Sequence, residues 1–192
     1  MGFDYFIDNR NTITFSGQYT TGRFRPFEEQ TASTDTLDNV LSSSRYDRTT
    51  NSERMFQNMG GSIQYKRLFT KPGKELTADL NYNQMNSENE SFTSTLYYDN
   101  DPDVANRSAL QKQIGGGGSQ FITGQLDFVN PIGEKYKLET GARMAARTFD
   151  SEADVFIYDI NNGEYVNYAN PFSKYTYTDY VYAGYGTFSH AV

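Results

Sequence analysis

Met59-Gly60-Gly61-Ser62-Ile63-Gln64-Tyr65-Lys66-Arg67-Leu68-Phe69, then Thr70-Lys71-Pro72-Gly73-Lys74, then Glu75-Leu76-Thr77-Ala78-Asp79-Leu80-Asn81-Tyr82-Asn83, read as two strands and the turn between them. Met59, Gly61, Ile63 and Tyr65 fall at alternate positions, opposed by Ser62, Gln64 and Lys66. Past the turn, Leu76, Ala78, Leu80 and Tyr82 alternate with Thr77, Asp79, Asn81 and Asn83. Successive side chains of a strand point to opposite faces, so each arm has one apolar and one polar face. Lys-Pro-Gly-Lys is turn chemistry, with Pro presetting φ and Gly supplying a positive φ. Asp79 would be costly in a dry sandwich core but is at home against water.

The same pattern continues outward from this hairpin and predicts about seven strands. The first is Phe3 to Ile7, entering a turn at Asp8-Asn9-Arg10-Asn11. The second runs from Thr12 to about Arg25, with Ile13, Phe15, Gly17 and Tyr19 against Thr14, Ser16, Gln18 and Thr20. The hairpin at 58–83 supplies the third and fourth. In the fifth, Ile122, Gly124, Leu126 and Phe128 oppose Thr123, Gln125 and Asp127, and a turn is expected at Asn130-Pro131-Ile132-Gly133. The sixth starts at Tyr136 with Leu138, Thr140, Ala142, Met144 and Ala146 on its apolar face. The seventh, Tyr175 to about His190, carries aromatics on both faces, which leaves its orientation open. Ser87 to Tyr98 and Ala153 to Ile160 still read as strand, as if hairpins project past the apolar alternation. Leu37 to Ser44 reads as one short helical turn, and helix is otherwise expected to be nearly absent.

The spacing of the connections matters as much as the strands. Tight turns recur roughly sixty residues apart, separated by long polar stretches such as Glu28 to Asn58. Short turns on one side and long loops on the other are how outer-membrane barrels are connected. The three turns are therefore expected on the periplasmic side and the long loops outside.

Composition is compatible with that reading. The 192 residues carry a net charge of -7, and only 36% are hydrophobic; the sequence pI is about 4.7 and the mean hydropathy -0.73. No run approaches the ~20 apolar residues of a membrane-spanning helix. A barrel strand needs only one apolar face, so low hydropathy does not exclude it. The 16 Tyr and 14 Phe suit interfacial girdles, although strands favour aromatics in any case. Cys is absent and His190 is the sole histidine, which argues against Cys/His zinc sites and Ser-His-Asp catalysis. Net acidity argues against a nucleic-acid partner.

The fold expected is thus all-β: an antiparallel up-and-down transmembrane β-barrel segment. Single-chain barrels of this kind use an even number of strands, from about eight upward. About seven cannot close, and an open edge facing lipid leaves unpaired backbone groups. Met1-Gly2-Phe3-Asp4-Tyr5 has neither the charged n-region nor the apolar h-region of a signal peptide. Residues 1–192 are accordingly expected to be a partial barrel domain, an internal piece of a longer protein.

Three segments then match a known pattern. Gln120-Phe121-Ile122-Thr123-Gly124-Gln125-Leu126-Asp127-Phe128-Val129-Asn130-Pro131 runs on to Lys137-Leu138-Glu139-Thr140-Gly141-Ala142-Arg143, and Tyr175-Thr176-Tyr177-Thr178-Asp179-Tyr180-Val181-Tyr182-Ala183-Gly184-Tyr185 follows. This order resembles the outer-membrane β-barrel domain of TonB-dependent receptor-like proteins. Asn81-Tyr82-Asn83 and the hairpin from Phe3 to Thr14 fit it too. The resemblance implies a large barrel, about 22 strands, filled by an N-terminal plug domain. It also implies outer-membrane lipid, the remaining strands, TonB and a surface lipoprotein as partners, and uptake of a nutrient or chelate. The plug and the TonB-contacting segment are not among these residues, nor is the usual terminal aromatic, since the chain ends His190-Ala191-Val192.

Candidate chemistry is sparse. Lys137, Glu139, Arg143 and Arg147 form a charged ladder on the polar face of the sixth strand. They are the foremost lumen candidates, for contact with plug or solute; a solvated, mutually paired wall is the plainer alternative and the favoured one. Asp99, Asp101 and Asp103 alternate like the start of a calcium loop, but Val104 and Leu110 stand where an EF-hand needs Gly and Glu, so an ordinary acidic loop is favoured. Gly115-Gly116-Gly117-Gly118-Ser119 lacks the Gly-Lys-Ser/Thr of a phosphate loop and reads as a flexible loop tip. Glu28-Glu29 and Glu88/Glu90 show no sign of the burial a catalytic acid needs, so no enzyme is expected. Two other readings stand beside receptor or transporter: a secreted all-β adhesin or carbohydrate-binding module, and a passive outer-membrane pore or surface scaffold.

Overall fold

The computed structural model describes residues 1–38, 40–99, 104–168 and 174–190. The described residues form nine strands and no helix: β1 (Gly2–Asp8), β2 (Asn11–Phe24), β3 (Phe27–Asp38), β4 (Val40–Leu68), β5 (Glu75–Asp99), β6 (Arg107–Ile132), β7 (Tyr136–Asp159), β8 (Glu164–Asn167) and β9 (Lys174–His190). All belong to one antiparallel sheet in the order β1-β2-β4-β5-β6-β7-β8, with β3 on β4 and β9 on β7. Nine strands make seven lines. Phe24 opposes Arg54 and Phe27 opposes Asn51, so β3 continues β2 with no residue added. Pro26 has no N–H to give the ladder, but its carbonyl still accepts from Ser52 N at 3.0 Å. At the far side, β8 and β9 share the free edge of β7. The sheet is open, with β1 and β9 at its margins.

Register sorts the side chains into two continuous faces. One row runs Phe15, Ile63, Leu80, Gly124, Met144, Tyr182, each opposite the next. The neighbouring row on that face runs Ile13, Tyr65, Ala78, Leu126, Ala142, Gly184. The apolar alternation on β2 runs from Ile13 to Tyr19, and the strand as a whole, Asn11–Phe24, is long enough for the ~9–11 residues of a tilted crossing. This register also settles the last strand: Tyr180, Tyr182 and Phe188 lie with Ala146, Met144 and Leu138 on the apolar face, and Asp179 and Tyr185 on the polar one.

At the short-turn end, an aromatic and basic belt edges the band. Phe69 meets Phe128 edge-on at 6.1 Å, Lys74 Nζ stands 5.0 Å from the Phe69 ring, and Tyr136 stacks on Phe188 at 5.4 Å. Amphipathic rings beside cations suit the headgroup level. The turns themselves are tight. Asp8 Oδ1 accepts the backbone N–H groups of Arg10 at 2.7 Å and Asn11 at 2.9 Å, and Gly73 closes its turn at φ 74°.

Four expectations are corrected. The stretch from Glu28 to Asn58 is no loop: it is β3 and the outer half of β4, which pair from Phe27↔Asn51 to Asp38↔Val40. The short helical turn at Leu37 to Ser44 is the tip of that hairpin, extended on both sides. Polar residues there have no apolar alternation to announce a strand; the neighbouring strand supplies the pairing. The third turn is Gly133 to Lys135 rather than Asn130 to Gly133, because Pro131 and Ile132 still pair with Lys137 and Tyr136 and Gly133 takes the positive φ, 68°. Gly115 to Gly118 is not a loop tip but mid-β6, paired to β5 and β7 at once.

No apolar side chain among the described residues is buried. A single layer has no interior of its own. β4 alone, with 29 residues, is roughly 95 Å long at about 3.3 Å per residue, so most of it projects beyond a bilayer.

Candidate functional site

The functional surface is the polar face of the band, because the apolar face must meet lipid. Alternation places Thr14, Gln64, Asp79, Gln125 and Arg143 in one row across the sheet. Two rows further out lie Gln18, Gly60, Asn83, Phe121, Arg147 and Asp179. Side chains on this face bond to one another. Gln64 Nε2 donates to Asp79 at 2.7 Å, and Ser16 and Ser62 share a hydrogen bond of 2.6 Å. Asp127 accepts from Tyr185 Oη at 2.7 Å on one oxygen and from Gln125 Nε2 at 2.8 Å on the other. Such cross-strand pairs lock register and keep the polar groups satisfied.

The charged ladder is not one network. Lys137 Nζ pairs with Glu139 at 2.7 Å, at the short-turn end. Arg147 turns instead to Asp179 on β9, with Nε and Nη2 each 3.1 Å from a different carboxylate oxygen. Arg143 is exposed between Gln125 and Ala183. Sequence groups the four because they share a strand face, but the partners of Arg147 and Asp127 come from β9, far along the chain. Asp127, Tyr185 and Asp179 are the residues that sequence reasoning misses; with the orientation of β9 open, no signal joins them.

Between β2 and β6 the same face forms a shallow cavity of about 520 Å³, lined in part by Ser16, Gln18, Ser62, Asn81, Asn83 and Phe121. Amides and hydroxyls share it with glycine backbone and the rings of Tyr82 and Phe121. Asn83 Nδ2 donates to Asn58 at 3.0 Å. Gly60 forms the floor, where a Cβ would come within 3.0 Å of Asn83 Nδ2 and 3.2 Å of Gln18 Nε2.

A two-faced antiparallel wall whose strands turn back beside the apolar band at one end and run far past it at the other is the pattern of an outer-membrane barrel, and the sequence carries the same assignment. The model of the outer membrane protein beta-barrel family matches residues 67–192. The chain belongs to this family. No match is found among curated proteins. As a member of the outer membrane protein beta-barrel family, the chain resides in the outer membrane, and its apolar face meets lipid there.

Of the candidate calcium residues, Asp99 ends β5, while Asp101 and Asp103 lie outside the described residues. Among the described residues no group of three or more Asp, Glu or His side chains is placed to hold a metal ion.

Outside the membrane, the projecting hairpins are cross-linked by charge. Asp47 on β4 accepts from Arg45 Nη2 at 2.6 Å and from Thr31 Oγ1 of β3 at 2.7 Å. The Arg45 guanidinium, then Thr31, hold the Asp47 carboxyl below its ordinary range. The same carboxylate raises the Tyr98 hydroxyl, so β3, β4 and β5 meet at one acidic residue.

Proposed function

We propose that this wall belongs to a receptor or transporter barrel that takes up a nutrient or chelate with energy delivered through TonB. Further strands and a plug domain complete the barrel, and a surface lipoprotein meets the projecting hairpins. Its work is binding and passage rather than catalysis. One observation carries the reading: over the height of the apolar band, most residues of the opposite face carry amides, hydroxyls or charges, and the same strands continue far outside. A wet face of that extent serves a polar solute or a polar plug. A secreted adhesin or carbohydrate module would need a second packed layer, and the nine strands form one sheet.

Uptake by cells making the full-length protein tests the reading. Collapsing the proton gradient should stop solute entry while surface binding persists. Steady ion flow through the full-length protein in a planar bilayer, with uptake indifferent to the gradient, would establish a passive pore instead.

A further inference from the structure

The two faces of the sheet exchange character just outside the apolar band. One row on the lipid-side face runs Arg23, Met55, Glu88, Gly116, Glu152, Lys174. The adjacent row on the lumen-side face runs Gly22, Phe56, Ser87, Gly117, Ser151, Tyr175. The first is mostly charged, with Lys174 2.9 Å from Glu152 and Arg23 3.2 Å from Glu53. The second has no charge at all. Within the membrane the order is the reverse. A vestibule needing only water contact has no reason to turn aromatic on its inner side while its outer side turns ionic.

The inner aromatics are grouped. Phe24 stacks on Phe56 at 5.7 Å and 11°, and Phe149 packs against Tyr175 at 5.8 Å. Phe24 is 59% exposed and Tyr175 53%. β4 and β7, which carry the two groups, are three strand spacings apart, roughly 14 Å. Between them lies a cavity of about 280 Å³ whose lining includes Ser87, Asn89, Ser119, Phe149, Ser151 and the charged Glu152. Its floor is the backbone of β6. A Cβ at Gly117 would stand 2.6 Å from the Asp150 carbonyl oxygen, and one at Gly115 would stand 3.3 Å from that of Glu152. The glycines at 115 and 117 thus have a structural cause in the tight β6–β7 approach, and the result is a trough with a bare floor, Phe149 on one wall, hydroxyl and amide groups along it, and the stacked pair Phe24 and Phe56 on the same face beyond its lining.

We infer that this trough binds a neutral oligosaccharide, an inference that rests on the receptor reading and names its substrate class. A sugar ring offers a C–H face that packs on the negative face of an aromatic ring, and hydroxyls that suit Ser and Asn, which donate and accept. A charged chelate would call for opposite charge. Glu152, the charged residue of the lining, is paired with Lys174 Nζ at 2.9 Å, and Arg54, in the row of Gly115, is engaged with Asn89 Oδ1 at 3.1 Å. Below the trough, the uncharged amide cavity around Asn83 and Phe121 continues the same surface inward.

The test uses the full-length protein in detergent, titrated with panels of neutral oligosaccharides, acidic oligosaccharides and neutral oligopeptides. The chain has no Trp, so binding is read by calorimetry. Neutral oligosaccharides alone should bind. Phe149→Ala and Phe56→Ala should each weaken that binding about tenfold, and Phe149→Tyr should retain it. Binding restricted to acidic sugars or peptides, or no binding by any neutral sugar, overturns the inference. Unchanged sugar binding in Phe149→Ala with a lowered unfolding temperature also overturns it, assigning sugar binding to another segment of the protein. Heat-modifiable migration of the same preparations reports the folded barrel separately, so loss of sugar binding with migration intact leaves the wall standing.

Discussion

Leu80 and Asn81 are neighbours in β5 with opposite surroundings. Leu80 faces lipid in the row of Ile63 and Met144, while Asn81 faces the polar cavity. Leu80→Arg should destabilise the folded full-length protein in vesicles by about 2–4 kcal/mol, the cost of a cation at mid-bilayer. Asn81→Arg should stay within about 0.5 kcal/mol; urea unfolding of both variants measures the contrast. Asp8 offers a test by pH. The Arg10 backbone N–H first, and then the Asn11 side chain, hold its carboxyl below the ordinary range. A carboxyl lowered by folding contributes stability above its unfolded value and loses it as pH falls through the folded one. Protection of the Arg10 and Asn11 amides, read as exchange relative to an unstructured peptide at the same pH, should therefore fall as pH drops below the ordinary carboxylate range, and Asp8→Asn should abolish that dependence. The alternation at Leu80 is legible from sequence because a period of two needs no partner. The partners of Asp127 and Arg147 are not, because they depend on which way β9 faces.

At the scale of the strand, glycine separates two meanings. Gly117→Val would drive a side chain into the Asp150 carbonyl oxygen and should cost about 1–3 kcal/mol, as overpacking does, with amide exchange rising along the β6–β7 seam. Gly124 sits on the lipid face, and a Cβ added there would meet nothing within 4 Å. Gly124→Ala should be neutral or stabilise by up to about 1 kcal/mol, since it restricts the unfolded chain. Thermal unfolding of the pair checks both signs. Four glycines carry no side-chain pattern, so from sequence the run reads as a loop tip. What keeps it extended is pairing on both sides, with β5 and with β7. The β3–β4 hairpin escapes sequence reading for a related reason, as Ser, Thr, Asp and Glu on both faces leave periodicity nothing to read.

Across the whole molecule, the strands turn back beside the apolar band at one end and project as long hairpins at the other, which predicts orientation. An epitope inserted in the Asn161–Gly163 turn should be labelled on intact cells, and one in the Gly133–Lys135 turn only after the outer membrane is opened. Surface labelling of the second site alone would invert the wall. The trough belongs to this scale too, since Phe24, Phe56, Phe149 and Tyr175 come from four strands and share no local motif. By itself the sequence determined that the chain makes two-faced strands, roughly where they begin after each tight turn, and which face of most of them meets lipid. Those properties follow from the identity of residues two apart, which every strand carries within itself. Only the tertiary structure decided the facing of β9, the length of the hairpins, the strand state of the glycine run and the exchange of character between the faces. Each of those is a matter of register between strands, and register is fixed by hydrogen bonds to partners that the local sequence does not contain.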